Sequence, residues 1–240
     1  MEINYFKEIF NELAQDKVDT EKYLTIYYRK SGHNLFKSSE LAQNNIANFV
    51  EYATKEINAN ILRNTPYIFS VVSKNVVILN NDYYFVKEIE AKILTMDWKD
   101  FEDISGLILQ YCFGAIDVKV TQRSADGGLD FEGKFPFKTL DGNSTLGYIE
   151  VYGQSKRYSG NVGIYDVKSF VAFANSKKRN YVHPAQLFLF FTSSDYAANA
   201  WEEIEANGFV GLNGLQISTI LFRFKYSLIG KNLILDRLLS

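Results

Sequence analysis

The spacing of apolar side chains divides the N-terminal part of the chain into helical and extended segments. Apolar residues recur at helical intervals over residues 1–14 and again from Ser38 to about Asn60, with Ser38 or Ser39 as the N-cap of the second helix. A short run at 23–28 has a strand-like pattern, and residues 67–81 alternate as two strands around a turn. The pattern predicts a mainly helical region with a small hairpin.

The pattern changes near Asp97, where Asp97 or Asp100 is suited to cap a helix that runs to Phe113 and stops at Gly114. The later segments alternate between strand and helix periods. In chain order we predict strands at 117–121, from 129 and at 146–156, a connection at 136–145, a helix at 164–174, a strand at 186–192, a helix at 195–207 capped by Ser193 or Ser194 and a strand at 209–210. The tail at 215–239 alternates weakly and ends in an apolar helix-like turn.

This order of elements predicts an α/β (α+β) fold with a mixed sheet sandwiched between helices. Residues 97–240 form the predicted sheet-containing domain. Residues 1–96 form an N-terminal region whose role has two interpretations, a helical cap or dimerisation element and a DNA-recognition module. The sequence leaves both open.

The composition is that of an ordinary globular chain, with 47% hydrophobic and 22% charged residues. No apolar run approaches the roughly 18 residues that cross a bilayer. The single cysteine, Cys112, excludes an internal disulfide and a cysteine-based zinc cluster, and we expect it to be buried and unreactive. We therefore expect a cytoplasmic protein that has no membrane partner.

The formal net charge of −2 does not indicate a nucleic-acid-binding protein, but binding of phosphates depends on local basic patches. Lys177, Lys178 and Arg179 form one such group in a predicted loop. They are either a solvated loop or a site of phosphate contact.

Candidate chemistry is concentrated in two short segments, Asp126-Gly-Gly-Leu-Asp130 and Gln154-Ser-Lys156. Residues two apart on a strand project from the same face, so Gln154 and Lys156 both reach Asp130 if the two strands pair. A carboxylate, a second oxygen ligand and a lysine at one sheet edge suit metal-assisted hydrolysis of a phosphodiester.

The roles follow from the residue types. Asp130 and the amide oxygen of Gln154 are the predicted ligands of Mg²⁺, with Mn²⁺ as an alternative ion, and the carbonyl of Ser155 completes the set. Lys156 is expected to act at the attacking water. Glu102, on the preceding helix, is expected to contribute an outer acid.

These segments belong to an ordered series of motifs that resembles the catalytic domain of Mrr-type restriction endonucleases, a branch of the PD-(D/E)xK nuclease superfamily. The matching pieces are Phe101–Leu109, Val118–Thr121, Asp126–Asp130, Gln154–Tyr158, Ser159–Val162, Asp166–Phe170 and Phe191–Ser194. The resemblance implies Mg²⁺-dependent cleavage of DNA, with Asp130, Gln154, Lys156 and Glu102 in the catalytic positions. Tyr152-Gly153 departs from the plain apolar strand of that family.

We therefore predict a restriction-type endonuclease that cuts double-stranded DNA as a C2 homodimer, because two strands require two sites. Arg157 and Tyr158, beside the lysine, are candidates for backbone phosphate contacts. The alternatives are a non-cleaving DNA-binding subunit of a defence assembly, and a repair or junction nuclease. The recognition sequence, any dependence on base modification and the cut position do not follow from the sequence.

Overall fold

The computed structural model describes residues 17–62, 65, 69–73, 76–79, 81–121, 128–178 and 185–240. The chain divides into two compact units, residues 1–85 and residues 86–240. The boundary predicted after residue 96, and the role of the region before it, stay predictions. The helix predicted at 1–14 lies outside the described residues.

The first unit combines two helices with a three-stranded antiparallel sheet in the order β1-β3-β2. Its elements are β1 (Lys17–Asp19), α1 (Thr20–Lys30), α2 (Leu35–Leu62), β2 (Phe69–Ser73) and β3 (Val76–Leu79). The Tyr23 ring of α1 packs against Phe49 of α2, with ring centroids 5.5 Å apart. The predicted second helix and the hairpin are confirmed.

Two predictions for this unit are wrong. The run from Tyr23 to Tyr28 is helical, because the Asp19 side chain caps α1 by accepting the backbone N–H groups of residues 21 and 22. Burial of Tyr23 and Leu24 on the second helix outweighs the strand preference of the β-branched and aromatic residues. The cap of α2 is Asn34, whose Oδ1 accepts the Lys37 N–H at 2.9 Å, and not Ser38 or Ser39.

The second unit is built on a five-stranded mixed sheet in the order β4-β5-β6-β7-β8. The first three strands are antiparallel, and β7 and β8 run parallel to β6. Helix α3 (Asn81–Thr95) includes the boundary between residues 85 and 86. The elements that follow it are α4 (Trp98–Leu107) with a π-helical turn (Ile108–Cys112), β4 (Ile116–Val120), β5 (Phe131–Lys138), β6 (Thr145–Lys156), α5 (Ile164–Lys178), β7 (Gln186–Thr192), α6 (Ala198–Ala206), β8 (Val210–Leu212), α7 (Gly214–Arg223), α8 (Lys225–Leu228) and α9 (Leu233–Leu239).

Helices cover both faces of this sheet and form two apolar cores. On one face α4, α7 and α9 pack around Phe131, Val151 and Phe191. On the other face α5 and α6 pack around Phe170 and Phe190. The predicted fold class, a mixed sheet sandwiched by helices, is confirmed.

Several predicted boundaries differ from the structure. The alternating segment is predicted to reach residue 81, but α3 begins at Asn81. Pro136 lies inside β5, opposite Tyr148, and the connection shortens to residues 139–144. The tail is helical before its end as well as at it, with Ile217 and Leu235 buried in the core. Within the described residues, no helix is both long and apolar enough to cross a membrane.

Cys112 ends the π-helical turn and is half-buried against the core. Burial raises its pKa to about 12, so almost none of the thiol is ionised at pH 8. We expect iodoacetamide to alkylate the native chain on the order of a hundredfold more slowly than the urea-unfolded chain at that pH. Mass spectrometry of quenched samples measures both rates, and equal rates would show that the turn does not pack as described.

Candidate active site

Pairing of β5 with β6 places Asp130 beside the end of β6. Phe131 stands opposite Gly153 in the antiparallel register, and the Asp130 N–H donates to the Gly153 carbonyl at 2.9 Å. The Ser155 N–H then donates to Asp130 Oδ2 at 2.7 Å. The carboxylate is thereby fixed between the two strands by a main-chain donor.

Gly153 is required by close packing between these two strands. A Cβ at this position would lie 2.0 Å from the Phe131 ring, which folds across the glycine to reach the core. This contact gives a physical reason for the departure at Tyr152-Gly153.

The side-chain amide of Gln154 has an oxygen that accepts no hydrogen bond from the described part of the chain. Its side chain is 2% exposed, and Oε1 is buried without a hydrogen-bond partner among the described residues. Gly128, at φ +99°, lies over the amide, where a Cβ would come within 2.5 Å of Nε2. An unpaired buried acceptor is costly, so this oxygen is suited to bind a cation or an ordered water.

Lys156 is half-buried two residues further along the strand. Burial raises the pKa of the Asp130 carboxyl, while the Ser155 N–H bond and the positive charge of Lys156 act to lower it. Because residues two apart on a strand project from the same face, the Lys156 side chain leaves β6 on the same side as Gln154, near Asp130.

Glu102, the predicted outer acid, lies on α4. Ser105, one turn after Glu102, is buried, accepts the Ser155 hydroxyl at 2.8 Å and donates to the Phe101 carbonyl at 2.8 Å. Residues three apart share a helix face, so Glu102, which is half-buried, lies on the side of α4 that faces Ser155. Asp97 caps this helix through the backbone N–H of residue 99, as predicted.

Hydroxyl side chains extend the pairing of β6 and β7 beyond Lys156. The Lys156 carbonyl accepts the Thr192 hydroxyl at 3.0 Å and the Ser193 N–H at 3.1 Å. The Ser193 hydroxyl accepts the Tyr158 N–H and donates to the Tyr158 carbonyl, both at 3.1 Å. The segment that follows the lysine is therefore held like an added strand.

The predicted role of Ser193 and Ser194 as a helix cap is wrong. The next helix, α6, begins at Ala198 after Ala197, which makes no side-chain cap. The Ser194 hydroxyl instead donates to the Gly160 carbonyl at 2.7 Å. Both serines are used to fix the loop after β6.

Ser193→Ala is expected to loosen this loop, because the N–H and C=O of Tyr158 each lose their partner. We expect the free energy of unfolding to fall by about 1–2 kcal/mol and the Tyr158 amide to exchange faster. Amide hydrogen exchange measures the local effect, and Ser176→Ala, at an exposed position of α5, is the matched control. Unchanged protection at Tyr158 would show that the hydroxyl does not hold the loop.

The candidate DNA-contact residues lie in different environments. Arg157 Nε is buried and has no hydrogen-bond partner among the described residues. The Tyr158 hydroxyl donates to Asp166 at 2.9 Å. Lys177 Nζ lies over the Tyr152 ring, 5.3 Å from its centroid. Lys178 ends α5, and Arg179 lies outside the described residues, as does Asp126. Their role in DNA contact stays a prediction.

Two features of the site were missed by sequence reasoning. The Ser105–Ser155 hydroxyl pair joins residues 50 positions apart, and no local pattern marks it. The hydroxyl-bearing residues 192–194 are evident in the sequence, but their position at the end of a predicted strand suggests a helix cap. They lie 36 positions after Lys156, so the sequence does not indicate that they contact its strand.

A family model described as restriction endonuclease matches residues 93–221, more than half of the chain. Among solved structures, MspJI restriction endonuclease in complex with a 27-mer oligonucleotide has a TM-score of 0.45 and 18% identity, covering 71% of this chain and 36% of that one. DNA modification-dependent restriction endonuclease AspBHI has a TM-score of 0.44 and 16% identity, covering 60% and 35%. FokI bound to DNA has a TM-score of 0.33 and 12% identity, covering 92% and 45%. The chain thus spans about a third of the first two structures. No curated protein matches it.

Proposed function

Because the chain belongs to the family of Mrr-type restriction endonuclease catalytic domains, we propose that it hydrolyses phosphodiester bonds of DNA at the site formed by Asp130, Gln154 and Lys156. The observation that carries the proposal is the convergence, at one strand end, of a fixed carboxylate, an unpaired amide oxygen and a lysine. Each is a group that phosphodiester hydrolysis needs.

The donor set fits a hard divalent cation, Mg²⁺, with Mn²⁺ as an alternative. Asp130 and Gln154 Oε1 would hold the ion, with the Ser155 carbonyl as a third oxygen, and magnesium favours such ligands. When bound, Mg²⁺ stabilises negative charge on the phosphate and lowers the pKa of a coordinated water.

The protein groups supply the remaining functions. The backbone of Lys156 is held at the strand end, because its carbonyl accepts the Thr192 hydroxyl. Its side-chain Nζ orients the attacking water and stabilises charge on the phosphate by hydrogen bonding. Glu102 acts as an outer acid from α4. Arg157, Tyr158 and Lys177 to Arg179 are proposed to contact the DNA backbone.

In the biological setting, we propose a restriction enzyme that cuts both strands of foreign DNA in the cytoplasm. The described part of one chain carries one candidate site, and the two strands of a duplex run in opposite directions. A C2 homodimer therefore supplies the two sites in the required relation.

The experiment that tests this function is incubation of the full chain with Mg²⁺ and modified or unmodified phage and plasmid DNA. Discrete fragments would support a restriction enzyme, and mapping of the ends would give its target and stagger. Cleavage restricted to branched substrates would instead indicate a repair or junction nuclease. A folded protein that binds DNA but cuts none of these substrates would indicate a non-cleaving subunit.

Gln154→Leu is expected to weaken binding of divalent metal by about tenfold or more, because it removes the buried oxygen while keeping a similar volume. Gln154→Glu is expected to keep or strengthen binding, because it places a carboxylate at the same position. Calorimetric titration with Mn²⁺ measures both. The control is Gln186→Leu, at a glutamine whose amide donates to Glu150 at 3.4 Å. Equal affinity of Gln154→Leu and wild type would exclude Gln154 as a ligand.

A further inference from the structure

The first unit has the order and pairing of a winged helix-turn-helix domain. Helix α1 and helix α2 are joined by the four-residue turn 31–34, in which Gly32 has a φ of +92°. The hairpin β2–β3 follows, and β1 pairs with β3 to complete the sheet. In helix-turn-helix proteins the second helix enters the major groove with its N-terminal residues at the base edges.

We infer that this unit binds double-stranded DNA through the turn 31–34 and the first turns of α2. The inference rests on the proposed function in one respect, that the chain acts on DNA. It assigns recognition of the DNA target to the unit that carries none of the proposed catalytic residues. A duplex fits this surface by charge, by the residues exposed on the helix and by topology.

The charge of the surface is locally positive in a chain of net charge −2. No acidic residue occurs between Glu21 and Glu40, whereas four basic residues do: Lys22, Arg29, Lys30 and Lys37. Every residue from 29 to 37 is exposed. Basic side chains around the turn are placed to contact phosphates on either side of the groove.

The exposed face of α2 carries groups that distinguish base pairs. Ser38, Ala42, Phe49 and Ala53 are buried on one side. The opposite side presents Lys37, Glu40 and Asn44 at intervals of three and four residues, all exposed, and Lys37 Nζ forms a surface ion pair with Glu40 at 3.0 Å that costs little to exchange for DNA contacts. Lysine, glutamate and asparagine are suited to guanine, cytosine and adenine edges in the major groove.

Asn44 is the best placed of these for reading a base. Its neighbours are engaged within the protein, since the Gln43 amide donates to Glu21 and the Asn45 amide donates to the Leu41 carbonyl. The Asn44 amide has no hydrogen bond within the described part of the chain and is exposed to solvent. An asparagine amide can bond both N6 and N7 of adenine.

The first turn of α2 also exposes two large apolar side chains, Leu35 at 63% and Phe36 at 82%. Apolar groups at the start of a recognition helix contact thymine methyl groups in the major groove. A second copy of the chain is the rival occupant of these side chains. The experiment below separates the two.

The test measures binding of the full chain to a duplex library in EDTA, where cleavage does not contribute. We expect Arg29→Ala and Lys37→Ala each to weaken binding about three- to tenfold and to reduce the salt slope of log Kd by about 1. Asn44→Ala should select duplexes from the library that show no base preference at one position where the wild type has one. Lys55→Ala, on the same helix and bonded to Glu51, is the matched control and should bind as wild type does.

Two results would overturn the inference. Unchanged affinity and salt slope in Arg29→Ala and Lys37→Ala would exclude the surface from DNA contact. Conversion of a dimer to a monomer by Phe36→Ser, with DNA binding unchanged, would assign the surface to a second copy. Neither result concerns Mg²⁺-dependent cleavage, so failure here is distinguishable from failure of the proposed nuclease activity.

Discussion

Lys156→Ala is expected to lower the rate of DNA cleavage on the order of a thousandfold while leaving DNA affinity and the melting temperature near wild type. The side chain is half-buried at a strand end, and its positive charge acts on Asp130. Its strand is held through main-chain and hydroxyl contacts that alanine preserves. The loss therefore falls on the chemical step and not on folding.

The matched control is Lys168→Ala, which removes an exposed lysine from α5. Single-turnover rates with saturating enzyme separate the chemical step from binding, and thermal melting reports the fold. A Lys156→Ala variant that cuts at the wild-type rate would exclude the lysine from catalysis. A variant that only lowers affinity would make it a binding residue.

Gly153→Ala is expected to give the second large effect, this time on stability and the site together. The added Cβ would lie 2.0 Å from the Phe131 ring, which packs on Phe191 with centroids 5.2 Å apart. The ring has to leave its position in the core, and overpacking of this kind costs about 1–3 kcal/mol. For a chain of this size we expect the melting temperature to fall by about 3–10 °C.

Cleavage should fall as well, because Phe131 and Gly153 adjoin Asp130 and Gln154. Gly147→Ala is the matched control in the same strand, opposite Phe137, where a Cβ meets nothing within 4 Å. Combining Gly153→Ala with Phe131→Leu should recover part of the stability, because the smaller side chain makes room. Equal melting temperatures for the two glycine variants would contradict the described packing.

Local patterns predicted the strands of the sheet better than the helices around it. The apolar run at Gln186–Thr192 was placed with its observed bounds, because a strand covered on both faces is apolar throughout. The segment 23–28 was misassigned, because burial on α2 decides its conformation and a short run cannot show that. The prediction for the tail is right only for its helical end, because the weak alternation before that end is organised by the core it covers.

The site was predictable where chemistry depends on residue type at short spacing. Asp130, Gln154 and Lys156 are proposed from two segments, and strand pairing places Asp130 beside the strand that carries Gln154 and Lys156. The supporting contacts were not predictable, because Ser105 meets Ser155 and Ser193 meets Tyr158 only after the layers have packed. These contacts join elements far apart in the chain, so they require the fold itself.

The most direct test of the active site is a time course with supercoiled plasmid and Mg²⁺, comparing wild type with Asp130→Asn. The asparagine can still accept the Ser155 N–H, so the fold should persist while the carboxylate is lost. We predict that wild type converts the plasmid to linear product and that Asp130→Asn leaves it supercoiled. Cleavage by Asp130→Asn at the wild-type rate, or an intact plasmid with folded wild type, would contradict the assignment.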